Sequence, residues 1–443
     1  MGYQIGMISL GCPKNQVDAE HMLALIDEAG WSIVDYVDGC DVVIINTCGF
    51  IDDAKKEAIE NILDTVELKN EGLVKKIIVT GCLAQRHKEE IAQEIPEVDA
   101  VIGIGADGDI VKIIEDVMSG GETIEKFPPQ SDLPLDGQRI LTTPEHWAYL
   151  KIGDGCSNRC TYCTIPYIRG DMRSREMDNI LEEARQLAET GVKEIILVAQ
   201  DTTSYGLDLY GELKLPELLN KLSEIEGIEW IRMLYCYPDR ITDELIEAIK
   251  NNDKVCNYID LPLQHSDDGI LKAMNRRGTQ AEIRNVISKL RSEIPDVVIR
   301  TTFIVGFPGE GEEEFENLAE FVNEIEFDRL GCFTFSPQEG TPAYDMDNQV
   351  EEDVKIRRGE IIMQDQFSIV EDKNNQKIGR VYKTVVEEYD RYTDSYVGRT
   401  YMDAPEIDGL VRFTSAKELD IGDFTDVKIF DVDEYDLLGE AVQ

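Results

Sequence analysis

The sequence predicts an α/β protein in three parts: a parallel α/β domain over residues 1–140, an open (β/α)6 partial barrel over 146–375, and a small antiparallel, OB-like β-barrel over 376–443. Three observations predict it. Apolar, β-branched runs alternate with helical patterns twice, the pattern of parallel sheets covered on both faces. A stretch rich in Gly, Pro and polar residues, 119–145, separates the two series and reads as a linker. After residue 376 only short strand-like segments remain, broken by Gly, Pro and Asp turns.

In the first part the strand candidates are YQIGMISLGC, DVVIINTCGF and KKIIVTGCLA, and QVDAEHMLALIDEAG has the spacing of an amphipathic helix. The start lacks a basic n-region and a cleavage pattern, so it reads as a first strand. Each run ends in a cysteine, Cys12, Cys48 and Cys82, at intervals close to one βαβ unit. Parallel strands end at one carboxyl edge, and neighbours lie about 4.8 Å apart, so the three thiols can converge on one cluster. The alternative is that each is a small core residue. Three at one topological position, each beside a glycine (Gly11, Gly49, Gly81), favour a ligand set. Cys40 precedes its strand and faces the other edge.

The second part alternates again. WAYLKIGDG, KEIILVAQ, WIRMLYCYP, NYIDLPLQ, VVIRTTFIVGFP and LGCFTFSP are strand candidates, with DNILEEARQLAETG, TDELIEAIKNN, AEIRNVISKLRSE and EEFENLAEFVNEIEF as helices between them. Six βα units are too few for a closed eight-stranded barrel.

The loop after its first strand, GDGCSNRCTYCTIPYIRG, spaces Cys156, Cys160 and Cys163 as C-x3-C-x2-C. Three thiolates on one short loop hold three irons of a [4Fe–4S] cube and leave the fourth open, as catalytic metal sites do. That iron can be chelated by the amino and carboxylate groups of S-adenosylmethionine (SAM), with Tyr162 placed to pack near the adenine. A zinc site would want four ligands in paired groups, and the nearest upstream histidine, His146, lies outside the loop. Disulfides would need an oxidising compartment, whereas these ten cysteines are expected in a reducing cytoplasm.

Other strand ends offer SAM contacts: Gln200 and Asp201, then Gln264, His265 and Ser266, then Ile304 to Gly306 in FIVGFPGE. Gly306, Pro308 and Gly309 also read as a tight turn, and His265 equally as a surface or supporting histidine. Cys236, Cys256 and Cys332 lack ligand spacing and read as core.

The third part, RVYKTVVEEY, SYVGRTYM, GLVRFTS, FTDVKIFDV and YDLLGEAV, reads as a five-stranded appendage for holding a partner. Net charge is −45, from 89 acidic and 44 basic residues, and no part is basic. Phosphate backbones are bound by basic surfaces, so a basic protein partner fits better than a nucleic acid. A uniformly acidic proteome, as in salt-adapted organisms, gives the same even spread. No run approaches a membrane span.

LGCPKNQVDAE, INTCGF, TGCLAQR, the cysteine loop with IPYIRGDMRSR, YIDLPLQH, GFPGE and FSPQEGTPA, in this order, resemble the methylthiotransferases among the radical-SAM enzymes. The resemblance covers essentially the whole chain and implies a methylthiotransferase domain, a radical-SAM core and a terminal TRAM barrel. LPLQHSDDGILKAM and GRTYMDAPEIDG are similar to the branch that modifies an aspartate of small-subunit ribosomal protein S-twelve. The alternative branch acts on transfer-RNA adenosines and typically has a more basic TRAM domain.

The resemblance implies two [4Fe–4S] clusters. Cys156, Cys160 and Cys163 would bind the one that reduces SAM; Cys12, Cys48 and Cys82 would bind the auxiliary one, which carries the sulfur. One SAM would methylate that sulfur, and another would give the 5'-deoxyadenosyl radical that takes hydrogen from the aspartate β-carbon. It further implies a reducing electron donor, a sulfur donor and contact with nucleic acid only through the ribosome. Tyr162, Gln200, Gln264 and Gly306 are the candidate SAM contacts, and no catalytic residue beyond the cluster ligands is assigned. Ala19, where the family often has Ser, touches no ligand position. A reading from another class is a non-catalytic iron–sulfur electron carrier, which needs no SAM-sized cavity.

Overall fold

The computed structural model describes residues 2–442. Its first domain is a six-stranded, all-parallel sheet in the order β2-β1-β3-β4-β5-β6. The strands are β1 (Gln4–Ser9), β2 (Ser32–Val34), β3 (Val42–Thr47), β4 (Lys76–Thr80), β5 (Ala100–Ile102) and β6 (Ile124–Lys126). Helices α1 (Pro13–Glu28), α2 (Asp52–Asn70), α3 (Gly81–Arg86), α4 (Lys88–Glu94) and α5 (Ile110–Ser119) cover both faces. In α5, Ile110, Ile113, Ile114 and Val117 recur at helical spacing and are all buried. β3, buried at every position, is the continuous apolar run that a parallel sheet wants at its centre.

The stretch expected to be a linker does more than connect. β6 is an edge strand of this sheet, and Arg139 is buried with Glu20 of α1 and Glu183 beyond. A three-residue strand among polar residues carries no apolar period, so it takes its conformation from pairing with β5.

The second domain holds β7 (Trp147–Lys151), the two-residue pair β8 (Gly153–Asp154) and β9 (Arg173–Ser174), β10 (Glu194–Val198), β11 (Trp230–Met233), β12 (Val255–Asp260), β13 (Val298–Val305) and β14 (Arg329–Thr334). The six long strands are parallel, each beside its predecessor in the chain, and β7 and β14 end the sheet without pairing to each other. This is the expected open partial barrel. Its helices are α6 (Ile165–Ile168), α7 (Met177–Glu189), α8 (Leu215–Ser223), α9 (Asp243–Lys250), α10 (Asp268–Ala273), α11 (Gln280–Glu293), α12 (Glu312–Ile325) and α13 (Glu352–Asn375). One sheet face packs under helices through residues such as Ile195, Ile231, Ile259, Leu187 and Leu222.

The third domain is the expected five-stranded barrel: β15 (Val381–Asp390), β16 (Ser395–Thr400), β17 (Val411–Thr414), β18 (Phe424–Asp433) and β19 (Asp436–Ala441), closed as β15-β16-β17-β19-β18. Four pairings are antiparallel, but β17 and β19 pair in parallel. Only closure, which no local pattern encodes, sets that direction.

The barrel, expected as an appendage for holding a partner, also packs onto the core domain. Trp147, Ile196, Trp230 and Tyr258 on the second sheet face share one core with Val385, Val411, Phe413 and Val427 of the barrel. An open sheet leaves that apolar face bare, and the barrel buries it. Polar clasps fix the register: Glu194 accepts from Arg232 at 2.8 Å and Arg399 at 2.7 Å, and Arg329 donates to Asp403 at 2.6 Å. Helix α13 is a strut between them, with Lys355 donating to Phe335 O near its start and Asn374 reaching Tyr435 O at its end. No helix of the described residues is long and apolar enough to cross a membrane.

Candidate active site

Sheet register brings the first cysteine set together. Asn46 of β3 pairs with Ser9 on one side and Thr80 on the other, so Cys12, Cys48 and Cys82 leave one carboxyl edge within three residues of that line. The neighbouring glycines make the approach possible. Gly11 has φ +101°, and a Cβ there would stand 2.8 Å from Cys48 Cβ. Gly81 has φ +91°, and a Cβ there would stand 2.5 Å from the Asn46 side chain and the Thr47 carbonyl.

The thiols differ electrostatically. Burial works against the Cys12 thiolate, but Lys14, Arg169 and the backbone N–H groups that open α1 overcome it and hold this thiol below its usual range. Burial pushes Cys82 up to about 12 and raises Cys48. Lys14 is itself buried, its Nζ 3.3 Å above the Tyr235 ring.

Cys156, Cys160 and Cys163 sit on the loop after β8. Asn158 Nδ2 lies 3.6 Å from Cys156 Sγ, and the Tyr237 hydroxyl 3.6 Å from Cys160 Sγ. Burial raises Cys156 and Cys163. Arg159, Tyr235, Gln264 and Asn275 all adopt left-handed backbone at this edge. Such strain persists where surroundings over-determine it: Asn275, for one, donates to Arg159 O at 2.8 Å.

A buried quartet joins the two sets. Arg169, at the end of α6, donates to Asp18 at 2.8 Å, Asp154 at 2.7 Å, Asn15 at 3.1 Å and Cys82 Sγ at 3.6 Å. Lys151 pairs with the same two carboxylates. Burial alone would raise Asp154, but Arg169 and Lys151 hold it well below the carboxylate range.

Beside both sets a cavity of about 560 Å³ opens between the first two domains. Tyr162, Gln264 and Ile304 line it from the core, Phe50 and Ile51 from the first domain, and Phe333 from β14. Asp53 and Glu352 stand among its lining residues with largely exposed side chains. Its walls are pinned: Ser336 and Gln338 donate to Asp52 at 2.8 and 3.1 Å, and Arg86 donates to Gln338 at 2.8 Å. A larger surface cleft, of about 670 Å³ between α7 and α8, has no strand end in its lining and no residue within two positions of a cysteine, whereas Phe50 and Tyr162 of the smaller cavity lie that close to Cys48 and Cys163.

Of the other predicted residues, Gln200 donates to Asp154 at 3.2 Å and leaves Oε1 without a partner. Asp201 is consumed structurally, accepting from Asn158, Thr203, Ser204 and Arg240. His265 is fully buried, not a surface residue: its Nδ1 accepts from Asp267 N, and Glu310 stands 3.3 Å from Nε2. Ser266 is also buried, its hydroxyl unpartnered. Gly306 does not line the cavity; its N–H donates to Glu310 at 2.9 Å, and a Cβ there would meet Lys355 Cγ at 2.2 Å. Cys40, Cys236 and Cys256 are buried, and Cys332 is half-buried.

Sequence reasoning missed Asp18, Asp154, Arg169, Tyr237 and Phe333. Arg169 stands in the quoted run IPYIRG directly after the cysteine loop, but nothing local links it to Asp18, 151 residues away.

The donor set fits iron–sulfur clusters. Among the described residues no three His, Cys, Asp or Glu side chains close on one metal ion, whereas a cube spreads its thiolates over separate irons. Mostly protonated thiols flanked by buried cations are what a metal would deprotonate on binding. The unpartnered Gln200 Oε1 and Thr164 Oγ1 are buried polar atoms awaiting a partner.

Residues 150–322 match the Radical SAM superfamily, 4–103 the Uncharacterized protein family UPF0004, and 378–442 the TRAM domain. The chain is 51% identical to the ribosomal protein uS12 methylthiotransferase RimO of Acetivibrio thermocellus, over 100% of this chain and 99% of the relative. It is 54% identical to that of Caldanaerobacter subterraneus subsp. tengcongensis (98% and 99%) and 48% to that of Clostridioides difficile (99% and 99%). Among solved structures, the radical S-adenosylmethionine methyltransferase TsrM of Kitasatospora setae aligns with TM-score 0.59 at 11% identity, covering 78% of this chain and 77% of that one. The cobalamin-dependent radical enzyme OxsB aligns with TM-score 0.52 at 13% identity, covering 83% and 58%. These two likenesses concern the fold.

Proposed function

The chain belongs to the RimO family of ribosomal protein uS12 methylthiotransferases within the radical-SAM superfamily, and from that premise we propose that it adds a methylthio group to the β-carbon of an aspartate of uS12, using two [4Fe–4S] clusters. Cys156, Cys160 and Cys163 would hold one cluster and Cys12, Cys48 and Cys82 the auxiliary one. When bound, the clusters supply one-electron cleavage of SAM and a place to carry transferable sulfur. The observation that carries the reading is two three-cysteine sets of different domains beside one cavity, tied by Arg169.

The chain's own residues do the rest. Tyr162 and Gln264 line the cavity beside the core set and are the residues to hold SAM, with Gln200 offering its free Oε1. Gly306 would act indirectly, shaping the turn below Ile304. Phe50, Ile51 and Phe333, each partly exposed, give the cavity an apolar wall against which a substrate segment can pack. The net charge of −45 steers in a substrate whose surface is basic because it binds ribosomal RNA, while at the cavity Asp53 and Glu352 are paired with Lys56 and Lys355 at 3.5 and 3.1 Å. A reducing electron donor and a sulfur donor complete the reaction, in the cytoplasm where ribosomes are modified.

The test is to reconstitute the chain anaerobically and incubate it with uS12, SAM and a strong reductant, with transfer RNA in parallel. A methylthio mass on one aspartate is expected. Unmodified uS12 beside modified transfer-RNA nucleosides would refute the reading in favour of the sister branch.

A further inference from the structure

Arg169 is 1% exposed, and its partners come from two domains: Asn15, Asp18 and Cys82 of the first, and Asp154 of the second. Asn15 and Asp18 lie on α1 behind Cys12, Cys82 opens α3, and Asp154 precedes Cys156 by two residues. The two cations Arg169 and Lys151 already match the two carboxylates Asp18 and Asp154. The Nη2–H groups are therefore free to serve Asn15 and the Cys82 sulfur. An N–H aimed at a ligand sulfur, with positive charge behind it, stabilises the electron-rich form of an iron–sulfur site.

The short helix α6 delivers this side chain. It begins two residues after Cys163, and the Arg169 N–H closes it on Ile165 O at 2.8 Å. The core loop thus reaches over to α3 and places a guanidinium against the auxiliary set. Asn46 braces the far side, donating to Asn15 O at 2.8 Å, while Asn15 donates to Leu10 O at 2.7 Å. A rigid partner set makes the guanidinium position sharp.

We propose that Arg169 is a positioning residue that raises the reduction potential of the auxiliary cluster through Cys82 and, through Asp154, holds that cluster in fixed relation to the core loop. The proposal rests on the two-cluster reading.

The test uses the full-length chain carrying Cys156→Ala, Cys160→Ala and Cys163→Ala, so that only the auxiliary set binds iron. Its potential is measured by anaerobic titration followed by electron paramagnetic resonance. Two variants are compared in that background: Arg169→Gln with Asp18→Asn, which keeps the quartet balanced, and Arg169→Lys, which keeps the charge but loses the fork. Both are expected to retain iron. The potential falls in the first and lies between in the second, and with all six cysteines restored methylthio transfer in the first drops about tenfold. An unchanged potential in the iron-loaded double variant overturns the proposal. Iron loss from both variants with folding intact also overturns it, since Arg169 would then merely build the site. If the starting chain with Arg169 intact binds no iron, the two-cluster reading itself has failed and the proposal falls with it.

Discussion

Glu194 and Arg399, 205 residues apart in the chain, stand 2.7 Å from each other where the core sheet meets the C-terminal barrel, both 1% exposed. Removing one partner of such a pair strands a buried charge at a cost of about 3–5 kcal/mol. Arg399→Leu should therefore lower the melting temperature by several degrees and loosen the barrel first, read as faster amide exchange in β15 and β16.

The same carboxyl carries a pH signature. Burial alone would raise it, but Arg399 and Arg232 hold Glu194 below its ordinary value of 4.5. A lowered folded value means its contribution is complete above about pH 4.5 and disappears as pH falls through the folded value. The barrel should come away from the core on acidification below pH 4.5, and Glu194→Gln should flatten that part of the profile. Calorimetry between pH 3 and 7 measures it.

Replacing Cys12, Cys48 and Cys82 together with Ala should roughly halve the bound iron while SAM cleavage persists, because the other set remains. Loss of all iron, or of none, would contradict two separate sites.

Gly81→Ala forces a side chain onto left-handed backbone, at about 1–2 kcal/mol, and drives its Cβ against the Thr47 backbone. Cys48 and Cys82 flank that contact. Auxiliary iron should fall well below one cluster per chain with little change at the core set, as iron analysis in the core-cysteine-free background would report.

Before loading, Cys12 should be the first of its set to be alkylated near neutral pH, since Lys14 and Arg169 favour its thiolate while Cys82 stays protonated up to about 12. Raising the pH should bring Cys48 in before Cys82. Timed iodoacetamide labelling with peptide mass mapping gives the order.

The cavity mouth should govern substrate affinity. Asp53→Lys with Glu352→Lys should raise KM for uS12 several-fold and weaken its salt dependence, and Phe333→Ala, which trims a 56% exposed ring, should raise KM as well. Steady-state kinetics at two ionic strengths would separate the charged from the apolar contribution.

Cysteine spacing on one loop, and cysteine recurrence at successive strand ends, were legible without coordinates. Both are local patterns whose geometry follows from strand direction alone. The six core strands and five barrel strands were legible for the same reason, as runs with their own apolar content. His265 and Gly306 were not: a histidine's role depends on what meets it, here Glu310, and a glycine's on what fills the space beside it, here Lys355. The edge strand Ile124–Lys126 was hidden because its strand state comes from its neighbour.

By itself, then, the sequence determined which residues could hold iron and the order of the three folding units, because such properties repeat at short range along the chain. Tertiary structure alone decided that the last barrel caps the core sheet and that Arg169, just past the core cysteine loop, reaches Cys82 of the first domain. Those relationships pair residues far beyond the reach of any local period, Arg169 with Cys82 at 87 positions and Glu194 with Arg399 at 205, where only packing of apolar faces and pairing of buried charge can choose.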